Sequence, residues 1–217
     1  MNRRNFGQNL LKASIIAFLV LFPHFIPLPF YSYTVVCLAI IIFYLKWQKK
    51  TLRNLGLKRN GLTAHTLIVG ILSALLWIAF NKWVYHPFIT HFFVVEPYTE
   101  YDFIRNKLSN LIITLIAAWI IAGFYEEIVF RGFIQTTIRE WFVESRHSFW
   151  LAGFLTSILF GLYHWQQGIF GIVPSFLAAL LWTFLLWRYK GNLWYPIISH
   201  AIYDTIALTM IYVGIAI

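Results

Sequence analysis

Long apolar runs joined by short polar segments are the feature that most constrains how this chain folds. Apolar residues make up 60% of the 217 residues and charged residues only 12%, which is about half the charged share of a water-soluble domain. Too little polar surface is left to cover a soluble globule, whereas about 20 apolar residues suffice to cross a bilayer. We therefore predict an all-α, polytopic transmembrane helical bundle that forms one integral membrane domain over residues 1–217.

The length of the chain allows seven or eight membrane spans. The predicted apolar segments are 10–28, 31–47, 63–85, 108–125, 128–143, 149–164, 169–187 and 193–217. Segment 128–143 is less apolar than the others, so counting it as interfacial gives seven crossings and counting it as spanning gives eight. A polar stretch, 86–107, separates the third and fourth segments and carries Glu96, Glu100 and Asp102.

Basic residues are concentrated at the N-terminus and in the segment 46–59. These two places hold nine of the 17 Lys and Arg residues: Arg3, Arg4, Lys12, Lys46, Lys49, Lys50, Arg53, Lys58 and Arg59. The positive-inside rule then predicts a cytoplasmic N-terminus, and the compact chain with several small spans predicts a bacterial plasma (inner) membrane. Basic residues in these places can contact the anionic headgroups of the lipid bilayer, which accounts for the formal charge of +9. We therefore expect no nucleic-acid partner.

A few ionisable side chains fall within or at the ends of the apolar segments. A charge at the centre of a bilayer costs about 2.5 kcal/mol or more, so such residues face a cavity or a partner and are functional candidates. Glu127 and Arg131 are four residues apart and can pair on one helix face, while Glu126 points about 100° away. His200 and Asp204 also share a face. We predict that these groups line a polar intramembrane cavity; the full set is Glu126, Glu127, Arg131, His164, His200 and Asp204.

A glutamate and two histidines from three helices can either hold a divalent metal or position a hydrolytic water directly. Both arrangements suit the hydrolysis of amides. Convergence of His164 and His200 requires that both lie near mid-depth, or that a helix is broken or tilted. Gly161, Gly168 and Gly171 would permit such a break.

Three short motifs carry these residues in order along the chain. They are EEIVFR at 126–131, FGLYH at 160–164 and HAIYD at 200–204. Together they resemble the motifs Glu-Glu-x-x-x-Arg, Phe-x-x-x-His and His-x-x-x-Asn/Asp of the CAAX-protease and bacteriocin-processing (CPBP, or Abi) family of intramembrane glutamic or metalloproteases. That family includes the type II CAAX prenyl endopeptidases. The resemblance covers a protease-motif core of about 105–210, and residues 1–100 carry no motif.

The resemblance implies an intramembrane endopeptidase that hydrolyses membrane-anchored proteins or peptides. Glu126 is implied to activate water, and His164 and His200 to stabilise the oxyanion or bind a metal. Asp204 stands where the prenyl endopeptidases usually carry asparagine, so a prenylated substrate does not follow. Zinc bound by Glu126, His164, His200 and Asp204 and a metal-free mechanism both remain open. The implied orienting residues are Glu127, Arg131 and Phe160.

Two other classes of function use the same residues. A non-enzymatic bacteriocin-immunity or regulatory membrane protein would bind its partner in the cavity without a hydrolytic centre. A proton- or ion-coupled transporter would use the intramembrane Glu, His and Asp residues as a relay, but the chain has no internal repeats and no paired broken helices.

Overall fold

The computed structural model describes residues 3–26, 28, 31–94 and 101–215. Within them the regular elements are all helical, which confirms the all-α fold. Three short 3₁₀ turns, at Leu52–Leu55, Asp102–Ile104 and Trp165–Gln167, lie between the longer helices. The longer helices are α1 (Arg3–Phe25), α2 (Tyr33–Trp47), α3 (Ala64–Phe92), α4 (Leu108–Trp141), α5 (Ser148–Tyr163), α6 (Ile169–Arg188) and α7 (Trp194–Tyr212).

Four of these helices are long and apolar enough to cross a membrane. They are α3, α4, α6 and the part of α1 from Phe6 to Phe25, while α2 and α5 are apolar but shorter. The predicted seven or eight crossings are therefore not confirmed. The bacterial plasma membrane and the cytoplasmic N-terminus stay predictions, and Glu96 and Glu100 lie outside the described residues.

Helix α4 differs from the sequence prediction, which gave two separate segments, 108–125 and 128–143. It is one helix of 34 residues, and the first motif lies inside it. Its Trp119–Glu126 and Ile128–Ile134 turns are π-helical, a rare geometry that occurs often at functional sites. The polar motif looked like the end of an apolar run, but its charges are paired within the protein and the helix continues through them. Helix α3 likewise extends past residue 85 to Phe92.

Small residues let α7 pack closely against α3 and α4. Gly70 of α3 lies against Ile198, and a Cβ on Gly123 of α4 would come within 2.7 Å of the Ala201 Cβ. Ser73 of α3 donates a 2.9 Å hydrogen bond to Ser199. Because membrane helices gain much of their association energy from such close packing, these contacts fix α7 beside the Glu-Glu motif.

The start of α7 is fixed by the end of the basic segment 46–59 and by Gly61, which follows it. The Leu193 amide donates to the Gly56 carbonyl at 3.1 Å, and the Asn192 side chain donates to the Gly61 carbonyl at 2.9 Å. The Asn192 side-chain oxygen also accepts from the Trp194 amide at 3.2 Å, so it satisfies one of the free amides of the first helical turn. These bonds set the depth of His200, which is six residues further along α7.

Helices α1 and α2 pack on α4 from the other side. Leu19, Cys37 and Ile41 are fully buried in this interface. At one end Glu140 of α4 accepts hydrogen bonds from Lys12 of α1 at 2.7 Å and from Lys50, just after α2, at 3.1 Å. The N-terminal helices are therefore attached to the helix that carries the first motif.

The close approach at Gly123 makes a specific stability prediction. Gly123→Ala should lower the free energy of unfolding by about 1–3 kcal/mol, because the added methyl group forces α4 away from α7. The measurement is thermal or denaturant unfolding in detergent. Gly7→Ala in α1 is the control, since its Cβ meets no described atom within 4 Å. Equal stability of the two variants would contradict the close packing.

Candidate functional site

The centre of the site is a buried charge network that joins α4 to α7. Arg131 Nε lies 3.3 Å from Glu127 Oε2, so the ion pair predicted from their four-residue spacing is present. His200 Nδ1 donates to the other carboxylate oxygen, Oε1, at 3.0 Å. Glu127 and Arg131 are 0% and 1% exposed and His200 is 5% exposed. A carboxylate taken out of water needs such partners, and Glu127 has them from two helices.

Aromatic rings hold the two partners of Glu127, Arg131 and His200, in place. The Arg131 guanidinium lies 4.2 Å from the centre of the Phe160 ring and 4.9 Å from that of Trp182. His200 stacks on Trp182 with 3.9 Å between the ring centres. Such cation–π contacts gain strength when they are desolvated. Phe160 of α5 and Trp182 of α6 therefore fix the geometry of the network.

Glu126 has a different environment from its neighbour Glu127. Its side chain is buried, with 8% of the residue exposed, yet its Oε2 atom has no hydrogen-bond partner among the described residues. Buried polar atoms are nearly always bonded, so an unbonded one needs an explanation. A carboxylate oxygen that the protein leaves unbonded can bind a water molecule or a substrate group.

His164 lies at the C-terminal end of α5, next to Phe160. Its Nδ1 is 2.9 Å from the Phe160 carbonyl oxygen. Because a carbonyl can only accept, Nδ1 carries the proton, and Nε2 of the neutral ring is a hydrogen-bond acceptor. The Phe160 ring centre lies 4.7 Å from the His164 ring and 6.0 Å from the His200 ring. The structure thus brings both histidines next to the same phenylalanine.

Both histidines lie near a helix end, which lets the two side chains approach the same phenylalanine. Helix α5 ends at Tyr163, directly before His164, and the chain turns back through Trp165–Gln167 into α6. His164 thus sits at the turn of a helix pair, while His200 lies in the second turn of α7. Gly168 has a φ of 63° at this turn, a backbone angle that glycine adopts without strain.

Asp204 completes the third motif at the edge of the network. Its Oδ2 atom is 3.7 Å from His200 Nε2, and its side chain is 20% exposed. This distance is too long for a hydrogen bond. Nε2 of His200 is therefore oriented toward a carboxylate without being bonded to it.

The predicted metal ligands do not form a metal site in this arrangement. Across the described ranges, no group of three or more His, Cys, Asp or Glu side chains is placed to hold a metal ion. His200 directs one nitrogen at Glu127 and the other at Asp204, and His164 uses Nδ1 on a backbone carbonyl. Each histidine keeps Nε2 free of a hydrogen bond, so the poor fit to zinc rests on the lack of a third ligand placed beside them among the described residues.

Several residues near the site carry no motif and were missed by the sequence analysis. Trp182 supports both Arg131 and His200, and its indole donates to Ser199 at 3.2 Å. His24 of α1 lies edge-on to Tyr163, with 4.6 Å between ring centres. Tyr33 of α2 lies edge-on to Tyr125 at 6.0 Å. Ten tryptophans and twelve tyrosines give no pattern that separates site aromatics from those at membrane interfaces.

Replacement of Arg131 tests the buried network. Arg131→Met should lower the free energy of unfolding by about 3–5 kcal/mol, because it leaves the buried Glu127 carboxylate without its positively charged partner. Arg131→Lys should also destabilise, since an ammonium cannot lie flat on Phe160 as a guanidinium does. Unfolding in detergent measures both. Arg139→Met, on the exposed part of α4, should stay within about 0.5 kcal/mol; a stable Arg131→Met variant would refute the network's role.

Comparison with known proteins identifies a family for the part of the chain that holds the site. Residues 108–206 match the family model described as type II CAAX prenyl endopeptidase Rce1-like. This segment contains all three motifs, and α1 to α3 lie outside it.

Two curated relatives extend the similarity. An "Uncharacterized 24.3 kDa protein" of Escherichia coli is 30% identical over 116 residues, which are 52% of this chain and 51% of the relative. "Putative membrane peptidase YdiL" of Bacillus subtilis (strain 168) is 25% identical over 178 residues, 81% of this chain and 68% of the relative. The chain therefore matches about half the length of the first relative. No solved structure matches it.

The family model confirms the resemblance drawn from the motifs, while the wider grouping with bacteriocin-processing enzymes stays a prediction. The segment 108–206 is thus similar to the Rce1-like family of type II CAAX prenyl endopeptidases.

Proposed function

We propose that this protein is an intramembrane endopeptidase that cleaves membrane-associated proteins or peptides. The observation that carries the proposal is the buried Glu126 carboxylate, whose Oε2 atom has no partner in the described structure. It lies beside a second glutamate that forms an ion pair with Arg131 and a hydrogen bond with His200. Two adjacent carboxylates with such different environments suit different roles, one chemical and one structural. The Rce1-like family match and the peptidase name of the Bacillus relative support the same function.

Glu126 acts as the general base in the proposed reaction. It accepts a proton from a water molecule while the water oxygen forms a bond to the carbonyl carbon of the substrate. The resulting tetrahedral intermediate carries a negative oxygen. Collapse of this intermediate breaks the C–N bond, and Glu126 returns the proton to the leaving amine nitrogen, which balances the reaction.

The two histidines act on the water and on the oxyanion. His164, with its proton on Nδ1, presents Nε2 as an acceptor that orients the attacking water. His200 is held by Glu127 through Nδ1. When protonated, it also offers an N–H at Nε2 to the oxyanion. The Asp204 carboxylate, 3.7 Å from that nitrogen, balances the positive charge of the imidazolium. A fixed donor of this kind contributes substantially to transition-state stabilisation.

The substrate is proposed to reach the site from the lipid or from the membrane surface. The unbonded Glu126 oxygen is buried in a helix that is apolar enough to cross a bilayer, so a membrane-associated peptide segment is the chemical class that fits. Because Asp204 replaces the usual asparagine, the proposal includes no prenyl group on the substrate.

Glu126→Gln tests the proposed chemistry. The amide keeps the size of the side chain but cannot accept a proton, so cleavage should fall by at least about a hundredfold, with folded protein still in the membrane. The measurement compares peptide termini in membrane and medium, by mass spectrometry, from cells that express each form at matched levels. Asp102→Asn, in an exposed pair with Arg105, should cleave like the wild type.

Identical termini in the wild type and Glu126→Gln would refute the protease. A phenotype that survives in Glu126→Gln and in His164→Ala would instead support a binding protein that has no hydrolytic centre.

Treatment with a chelator tests the poor fit of the site to a metal. Because the described residues contain no group of three or more side chains placed to hold a metal ion, we expect 1,10-phenanthroline to leave Glu126-dependent cleavage unchanged. The assay is cleavage by purified protein of a peptide that spans a Glu126-dependent terminus. Inhibition that is reversed by added zinc would show that a metal takes part.

A further inference from the structure

Three helices meet at the hydroxyl group of Ser199, the residue directly before His200 on α7. Its oxygen accepts a hydrogen bond from the Ser73 hydroxyl of α3, with 2.9 Å between the two oxygens. It also accepts one from the indole nitrogen of Trp182 of α6, at 3.2 Å. A serine oxygen has two lone pairs, so both bonds can form at once. We call Ser73, Trp182 and Ser199 the serine junction.

The serine junction lies in the protein interior. The exposed fractions are 8% for Ser73, 2% for Trp182 and 1% for Ser199. Gly70, one helical turn before Ser73, brings α3 close enough for the bond, because a Cβ at Gly70 would lie 3.2 Å from the Ser199 amide nitrogen. When one partner of a buried hydrogen bond is removed, the other is left unsatisfied, which costs more than at a surface. The junction is therefore a stable link from α3 to α6 and α7.

Trp182 carries this link to the imidazole of His200. The indole and the imidazole are stacked, with 3.9 Å between ring centres and 22° between ring planes. Flat rings can slide and turn past each other while they stay stacked, so stacking alone sets a separation and not a position. The hydrogen bond from the indole nitrogen to Ser199 holds one edge of the indole. The surface on which His200 rests is thereby kept in place.

His200 has a second fixed contact at its Nδ1 atom, which donates to Glu127 Oε1 at 3.0 Å. The plane of a flat ring and the position of one bonded nitrogen together determine where the other nitrogen points. For His200 the plane is set by Trp182 and the position of the bonded nitrogen by Glu127. The direction of Nε2 therefore depends on the indole, and through the indole on Ser199 and Ser73.

We propose that Ser73 and Ser199 are positioning residues, which fix the direction of the His200 Nε2 atom through the hydrogen-bonded indole of Trp182. Ser73 is on α3, outside the segment 108–206 that matches the family model. A helix that carries none of the motifs thus contributes to the geometry of the site. In the proposed reaction this nitrogen donates to the oxyanion, so the effect on catalysis rests on the proposed function. The hydrogen bonds of the junction do not depend on it.

A substrate-free experiment measures the hydrogen bond of the indole. Protein with isotope-labelled tryptophan is studied by NMR in detergent, where each of the ten tryptophans gives one indole N–H signal. The Trp182 signal is the one that is missing in Trp182→Phe. Its hydrogen–deuterium exchange is then measured in the wild type and in two variants. Ser199→Ala removes the acceptor and should speed this exchange about tenfold, and Ser73→Ala, which frees the Ser199 hydroxyl to turn, about threefold.

Ser157→Ala is the matched control. Ser157 of α5 is 1% exposed, like Ser199, but its hydroxyl donates within its own helix, to the Gly153 carbonyl at 2.7 Å. Its loss should leave the exchange of the Trp182 N–H at the wild-type rate. Unfolding temperatures in detergent check that all variants are folded, and Ser73→Ala carries the test alone if Ser199→Ala unfolds.

The effect on the site is measured with a peptide that the wild type cleaves. Because the serines hold a group that acts on the oxyanion, Ser73→Ala and Ser199→Ala should lower kcat and leave KM unchanged. Faster exchange with a wild-type kcat, or a change in KM alone, would overturn the positioning of His200.

A wild-type exchange rate in either serine variant would overturn the serine junction. That result together with Glu126-dependent cleavage would refute the junction and keep the protease. Faster exchange in both variants without any Glu126-dependent cleavage would refute the protease and keep the junction.

Discussion

The burial of the Glu127 carboxylate is the constraint on which the rest of the site depends. A carboxylate without water is tolerated only where opposite charges and hydrogen-bond donors reach it. Arg131 comes from the same helix and His200 from α7. The need of the Glu127 carboxylate for both partners therefore fixes the position of α7 relative to α4. Phe160 and Trp182 then cover the cations from α5 and α6. One buried carboxylate thus organises four helices.

This network also explains why Glu126 is different from Glu127. Adjacent residues on a helix point in different directions, so partners that surround Glu127 cannot also reach Glu126. Glu127 takes both Arg131 and His200 as partners, and the Glu126 Oε2 atom is left without a hydrogen bond. In the proposed reaction, the engaged glutamate keeps His200 in place and the open one moves the proton. Glu126 ends one π-helical turn of α4, and a second begins directly after Glu127.

The N-terminal helices belong to the same arrangement although they carry no motif. Glu140 binds Lys12 and Lys50 at one end of α4, and Tyr33 and His24 reach the surroundings of the site at the other. The family match begins only after these helices, at residue 108.

Sequence alone determined the helical fold, the Glu127–Arg131 pair and the candidate residues, because hydropathy and four-residue spacing are local properties of a helix. It did not determine that α4 runs unbroken through its motif, since one partner of the buried Glu127 carboxylate is His200, 73 residues away in the sequence. Nor could it identify Trp182, because aromatic residues are abundant throughout the chain. Its role was decided only by tertiary packing, which selects the few rings that face buried charge.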